Sequence, residues 1–140
     1  MHENFYHNVK VYYEDTDAGG VVYYANYLKF LERARTEALS TIGLSNSIIK
    51  DKFGILIIVK SCNIEYKKSA YLEDKLNIRS FIKSATKTSF FMNQIITKDE
   101  DIIVEAQIHL VFINEKNKPA KIPNVIFENF KPYFCDSIKL

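Results

Sequence analysis

VYYEDTDAGGVVYYANYLKFLERARTEAL, residues Val11 to Leu39, changes its period partway along, and that change decides the fold. Val9, Val11, Tyr12 and Tyr13 are the β-branched and aromatic residues of a strand, expected over Asn8 to Glu14. Asp15-Thr16-Asp17-Ala18-Gly19-Gly20 breaks it, because Asp side chains bond nearby backbone and glycine tolerates positive φ. From Tyr24 onward Tyr27, Phe30, Leu31, Ala34, Ala38 and Ile42 recur at spacings of three and four, the apolar stripe of a helix. Arg33 and Glu37, four apart on the other side, support it, and Gly43 is a natural C-terminal stop.

Beyond Gly43, Ser45 to Lys52 reads as a polar link, followed by four strand-like runs. Ile55 to Tyr66 places Leu56, Ile58, Cys62, Ile64 and Tyr66 on one face, and Leu76 to Lys83 alternates. Thr88 to Thr97 and Ile102 to Asn114 are joined through the acidic turn Lys98-Asp99-Glu100-Asp101. Pro119 and Pro123 end the regular part, and Asn124 to Phe134 suggests a short helix with Phe127, Phe130 and Phe134 on one side. One strand, one long helix, then four strands in series point to an α+β chain, an antiparallel five-stranded sheet around a single helix, forming one domain over 1–140. Several strands are apolar on both faces, and one helix covers only one of them. The uncovered surface predicts a partner subunit.

Composition sets the outer limits. Ten Phe and nine Tyr among 140 residues, 47% of them hydrophobic, argue for a packed core and against disorder. A formal charge of +2 is too mild for a general nucleic-acid binder. No apolar run approaches the ~18 residues of a membrane span, and MHENFYHNVK has no signal-peptide core. Cys62 and Cys135 have no metal-ligand spacing and read as free thiols. A soluble, cytoplasmic protein is expected.

The chemistry concentrates at Asp17, a carboxylate between a strand and the start of a long helix. A helix N-terminus exposes unpaired N–H groups and partial positive charge, so it can hold an oxyanion. A carboxylate beside it could activate water or attack a carbonyl, which is a minimal acyl-transfer arrangement. From spacing alone, the plainer reading is that Asp15 and Asp17 shape the turn or cap the helix. A calcium loop is excluded: Asp15, Asp17 and Gly20 mimic its positions 1, 3 and 6, but Asn26 stands at the twelfth, where a bidentate Glu is required. Cys62 with His109 is a poor nucleophile pair, since strand cysteines are usually inert core residues.

The stretch from Tyr12 to Leu39, with Asp-Thr-Asp, the glycines, Val-Val-Tyr, Ala-Asn-Tyr and Glu-Arg-Ala-Arg, closely resembles the signature of the 4-hydroxybenzoyl-CoA thioesterase family. It is most similar to the Tol–Pal-associated acyl-CoA thioesterase branch. The similarity continues through VKSCNIEYKKSAYLEDKL to Ile122-Pro123. The resemblance implies a hotdog fold, a sheet wrapped around one long helix, and metal-free hydrolysis of an acyl-CoA thioester by homodimers often paired into tetramers. It implies no cofactor, coenzyme A being part of the substrate. By position, Asp17 matches the catalytic carboxylate, as nucleophile or as general base, and Tyr24 the residue whose N–H polarises the thioester carbonyl. Many members of the Tol–Pal branch carry histidine there; tyrosine keeps the N–H and removes an imidazole that titrates near neutrality. Tyr13 matches a tyrosine near the active site, or is a packed strand aromatic. Lys87 matches a basic position that meets coenzyme A phosphates, with Thr86 and Thr88 where that branch has basic neighbours; Lys67, Lys68, Lys118 and Lys121 are further candidates. Ser61 and Asn63 are expected to border the thioester channel, and Glu32 and Arg35 to be structural. The competing reading is a non-catalytic hotdog module that binds acyl-CoA or acyl-carrier protein as sensor or scaffold.

Overall fold

The computed structural model describes residues 2–135. The chain runs β1 (Phe5–Lys10), α1 (Tyr24–Thr41), α2 (Asn46–Phe53), β2 (Leu56–Tyr66), β3 (Lys75–Ala85), β4 (Ser89–Lys98), β5 (Asp101–Ile113) and α3 (Asn124–Phe130). The five strands form one antiparallel sheet in the order β1-β3-β4-β5-β2. Helix α1 packs against one face, hereafter the inner face. Tyr27, Phe30, Leu31 and Ala34 of its stripe are buried in one cluster with Ile78, Ile82, Phe90, Met92, Ile96, Ile108 and Leu110 of the sheet. Helices α2 and α3 add Ile49, Ile126 and Phe130 to the same core.

The helix ends where glycine allows it to. Gly43 adopts φ +76°, and the Leu44 N–H turns back to the Leu39 carbonyl at 2.8 Å. Two elements differ from the sequence expectation. The first strand lies earlier, at Phe5–Lys10, and Tyr13–Asp15 form a 3-10 turn, because Asp15 Oδ2 accepts the Tyr12 N–H at 2.9 Å and draws the backbone out of the extended state. The expected polar link is helix α2. Ser45 Oγ accepts the Ile48 N–H at its start, and Gly54, with φ +65°, closes it. The expected last helix stops at Phe130, and Lys131–Tyr133 tighten into a 3-10 turn at Pro132.

One polar network crosses the core. Gln94 on β4 is 0% exposed. Its Nε2 donates to the Leu31 carbonyl of α1 at 3.0 Å and to Ser80 Oγ of β3 at 3.1 Å, while its Oε1 accepts from Arg35 Nη1 at 3.0 Å. The network fixes α1 in register over the middle of the sheet. At the far edge, β2 presents Leu56, Ile58, Val59 and Tyr66, all more than 40% exposed (43%, 43%, 48% and 44%), along a strand paired on one side only. No helix among the described residues is long and apolar enough to cross a membrane.

Candidate active site

The segment between the 3-10 turn and α1 is a small hairpin. Thr16 bridges Val22, the Asp17 N–H donates to the Val21 carbonyl at 2.9 Å, and the Gly20 N–H donates to the Asp17 carbonyl at 3.0 Å. Gly20 adopts φ +77°, which the turn requires. Asp17 Oδ1 accepts the Gly19 N–H at 2.8 Å; the other carboxylate oxygen has no hydrogen-bond partner among the described residues and is open to solvent.

Two bonds tie this hairpin to the start of α1. The Asp15 carbonyl accepts both the Tyr23 N–H at 3.0 Å and Asn26 Nδ2 at 2.8 Å. Asp17 lies two residues further, about 7 Å of extended chain. Tyr23, the N-cap residue, is extended, and its side chain makes no cap bond. The N–H groups of Tyr24 and Ala25 find no acceptor among the described residues. An uncapped, electropositive helix end and a carboxylate with a free oxygen therefore share one small hairpin.

The surrounding frame is aromatic and firmly held. Tyr27 OH accepts the Ala70 N–H at 3.0 Å, and the Ala70 carbonyl accepts the Val22 N–H at 2.8 Å, so the loop after β2 is clamped to both helix and hairpin. Burial raises the Tyr27 phenol above its ordinary range, and the Ala70 bond offsets part of that rise. Tyr66, on the inner face of β2, meets Tyr24 at 6.1 Å and Tyr27 at 5.8 Å between ring centroids. The sequence reading had Tyr27 only as core and Tyr66 only as strand, and Asn26 only as part of a motif. An Asn three residues after an uncapped helix start was the one available signal.

The other expected site residues fall as follows. Tyr13 lies in the 3-10 turn, 81% exposed, not packed in a strand. Ser61 and Asn63 stand opposite His109 and Gln107, on the outer face, whereas Cys62 and Tyr66 face inward. One chain thus does not bring Ser61 or Asn63 to Asp17. It also puts Cys62 and His109 on opposite faces, and burial raises the Cys62 thiol. Lys87 is exposed in the β3–β4 turn, its carbonyl accepting the Ile122 N–H at 2.8 Å. It borders a cleft of ≈ 390 Å³ shared with Lys121, Asn124, Phe127 and Lys131, the last paired with Glu128 at 2.8 Å. That cleft is at the far end of the sheet. Val11 and Asp74 bond beside the start of β3, and Lys87 follows its end, about 33 Å of strand away. Arg35 sits in the Gln94 network, its pKa lowered by burial, and Glu32 Oε1 accepts from Thr36 at 3.3 Å. No group of three or more His, Cys, Asp or Glu converges on a metal position among the described residues.

Residues 11–130 match the thioesterase-like superfamily. The chain belongs to that family. Members of the thioesterase-like superfamily similar to it include the acyl-CoA thioester hydrolase YbgC of Escherichia coli, 39% identical over 88% of this chain and 92% of the relative. The acyl-CoA thioesterase YbgC of Haemophilus influenzae is 34% identical over 84% and 88%. Among solved structures, a probable thioesterase from Bartonella henselae superposes with a TM-score of 0.82 at 32% identity, covering 86% of this chain and 100% of that one. The sheet wrapped around α1 is the hotdog fold of these thioesterases.

Proposed function

We infer that the protein hydrolyses an acyl-CoA thioester to the free acid and coenzyme A, with Asp17 as the essential carboxylate and the Tyr24 N–H as oxyanion donor. The observation that carries this is that the hairpin bearing the free Asp17 oxygen is tied, through the Asp15 carbonyl, to the helix start whose first-turn amides are unsatisfied. A thioester carbonyl accepting from Tyr24 N–H would have its carbon open to attack by the carboxylate, or by water that the carboxylate deprotonates. The relatives' named activities support the same reaction. No cofactor is required beyond the coenzyme A that the substrate brings, and the free thiols of Cys62 and Cys135 fit a reducing cytoplasm.

The site is completed by a second copy of the chain. Lys87, Lys121 and Lys131 offer charge for the coenzyme A phosphates, yet they lie at the wrong end of their own sheet. Antiparallel pairing of two β2 edges would reverse this. The Leu56 end of one strand would lie beside the Tyr66 end of the other, carrying one chain's lysine cleft to the other chain's Asp17. The exposed, half-paired and apolar β2 edge favours that homodimer.

Asp17→Asn keeps the hairpin bond to Gly19 and removes the base. Free-thiol release from a panel of acyl-CoAs should fall by about 10²–10⁴ in kcat with an unchanged melting temperature. Normal turnover by this variant would refute the assignment, and acyl-CoA binding without thiol release by the wild type would favour the sensor or scaffold reading.

A further inference from the structure

The hairpin before α1 has two arms, and they are held differently. The second arm is bonded to the loop after β2. The Val22 N–H donates to the Ala70 carbonyl at 2.8 Å, the Leu72 N–H donates to the Gly20 carbonyl at 3.3 Å, and Val21 bridges Tyr71. The first arm, Asp15 to Asp17, carries the carboxylate and has no hydrogen bond to that loop among the described residues. Its one side-chain tie to α1 among them is the half-buried Asn26, whose Nδ2 donates to the Asp15 carbonyl at 2.8 Å. Asp15 is the node of this arm. Its Oδ2 accepts the Tyr12 N–H at 2.9 Å, and its carbonyl also accepts the Tyr23 N–H at 3.0 Å.

Local needs do not account for Asn26. The Asp15 carbonyl already has a donor in Tyr23, so the turn requires no second one. Asparagine is among the poorer helix formers, and the third helical position ordinarily suits Glu or Gln, which reach back to the N-cap N–H. Here that N–H, from Tyr23, is taken by Asp15, and the first turn of α1 holds no acidic residue. A donating amide at position 26 therefore grips the hairpin without capping the helix, and the Tyr24 and Ala25 N–H groups stay open. A carboxylate there would do the reverse. It would repel the Asp15 carbonyl and compete with an oxyanion for the same amides.

We propose that Asn26 is a positioning residue for hydrolysis: by holding the Asp15 carbonyl, it fixes where the Asp17 arm lies relative to the first turn of α1. The inference rests on Asp17 being the essential carboxylate. Asn26 takes no part in bond making. It acts through the short piece of chain from Asp15 to Asp17, which the Asp17 N–H bond to Val21 and the bridge from Thr16 to Val22 keep stiff. Released from Asn26, the arm can shift against the helix amides, and a misplacement of about 1 Å costs about 10² in rate.

Asn26→Ala removes the donor, and Asn26→Asp keeps the shape while putting an acceptor in its place. Both should lower kcat for thiol release from acyl-CoA by about 10–100-fold, with KM nearly unchanged. Should Asn26→Ala fold poorly, Asn26→Asp still serves, because a carboxylate favours a helix start. The deciding measurement is Asn26→Ala in the Asp17→Asn background. With no carboxylate left to position, the double variant should turn over at the rate of Asp17→Asn alone. Multiplied losses would reveal a general structural role and overturn the proposal, as would a rise in KM with kcat intact. Wild-type kcat in both Asn26 variants beside an impaired Asp17→Asn would overturn it and leave the hydrolysis reading standing. Wild-type kcat in Asp17→Asn would remove both.

Discussion

An added Cβ at Gly19 would stand 3.2 Å from Asp17 Oδ1, the oxygen that the Gly19 N–H holds at 2.8 Å. At Gly20 an added Cβ would meet nothing within 4 Å, yet φ there is +77°. The two neighbours therefore separate placement of the carboxylate from strain in the turn. Gly19→Ala should fold as the wild type does but shift the carboxylate by a few tenths of an ångström, with about a tenfold loss in kcat, since misplacements of about 1 Å cost about 10². Gly20→Ala should instead lose about 1–2 kcal/mol of stability in a denaturant titration. Most of its turnover should survive at a temperature where it stays folded. If the two losses were interchanged, the carboxylate would not be held by the Gly19 side of the turn. Asp17 stood out in the sequence only through the resemblance, because by spacing alone an acidic residue before two glycines and a helix reads more plainly as a turn-shaping or capping carboxylate. The bond from Asn26 to the Asp15 carbonyl did not stand out at all, because it joins residues eleven apart across a turn whose path no pattern gives.

Helix α1 could be read from periodicity alone because its stripe is long and apolar and is buried from Tyr27 to Leu39. Helix α2 could not, although Ser45 and Gly54 bracket it correctly. Its eight residues bury only Ile49, too little to stand out from a polar linker. The first strand was placed late because Val11, Tyr12 and Tyr13 have strand propensity, while the local bond from Tyr12 to Asp15 overrides it. Gln94 shows the limit of pattern in another way, since a glutamine at a core position of β4 looks like a break in alternation until its partners are known. Replacing it with leucine leaves the half-buried Arg35 guanidinium without that acceptor and the buried Ser80 hydroxyl without that donor. Gln94→Leu should lower stability by about 2–4 kcal/mol, seen as a reduced denaturant midpoint. A shift below about 0.5 kcal/mol, the range of ordinary surface changes, would mean that apolar contacts alone dock α1.

At the scale of the molecule, the fold separates the carboxylate and the lysine cleft that the proposed reaction would use together. The separation follows from the sheet itself. Asp17 is anchored beside the start of β3, Lys87 follows its end, and the hairpin order leaves no route for one to approach the other within a chain. Pairing across β2 resolves this only if each site takes Asp17 from one chain and Lys87 from the other, which mixed assemblies can reveal. Lys87→Glu should raise KM for acyl-CoA by about 10–100-fold, the loss of one charge-assisted bond to phosphate and its replacement by repulsion. Asp17→Asn should lower kcat by about 10²–10⁴ while leaving binding. When the two impaired variants are unfolded and refolded together in equal amounts, half the pairs contain one of each. Each such pair has one site with both groups intact, so activity at low acyl-CoA should return to about a quarter of the wild-type value for a randomly assorted two-fold dimer. Refolding each variant alone should leave it at its own low activity. A mixture no more active than its components would place both residues in the same chain's site and remove the reason for the β2 pairing.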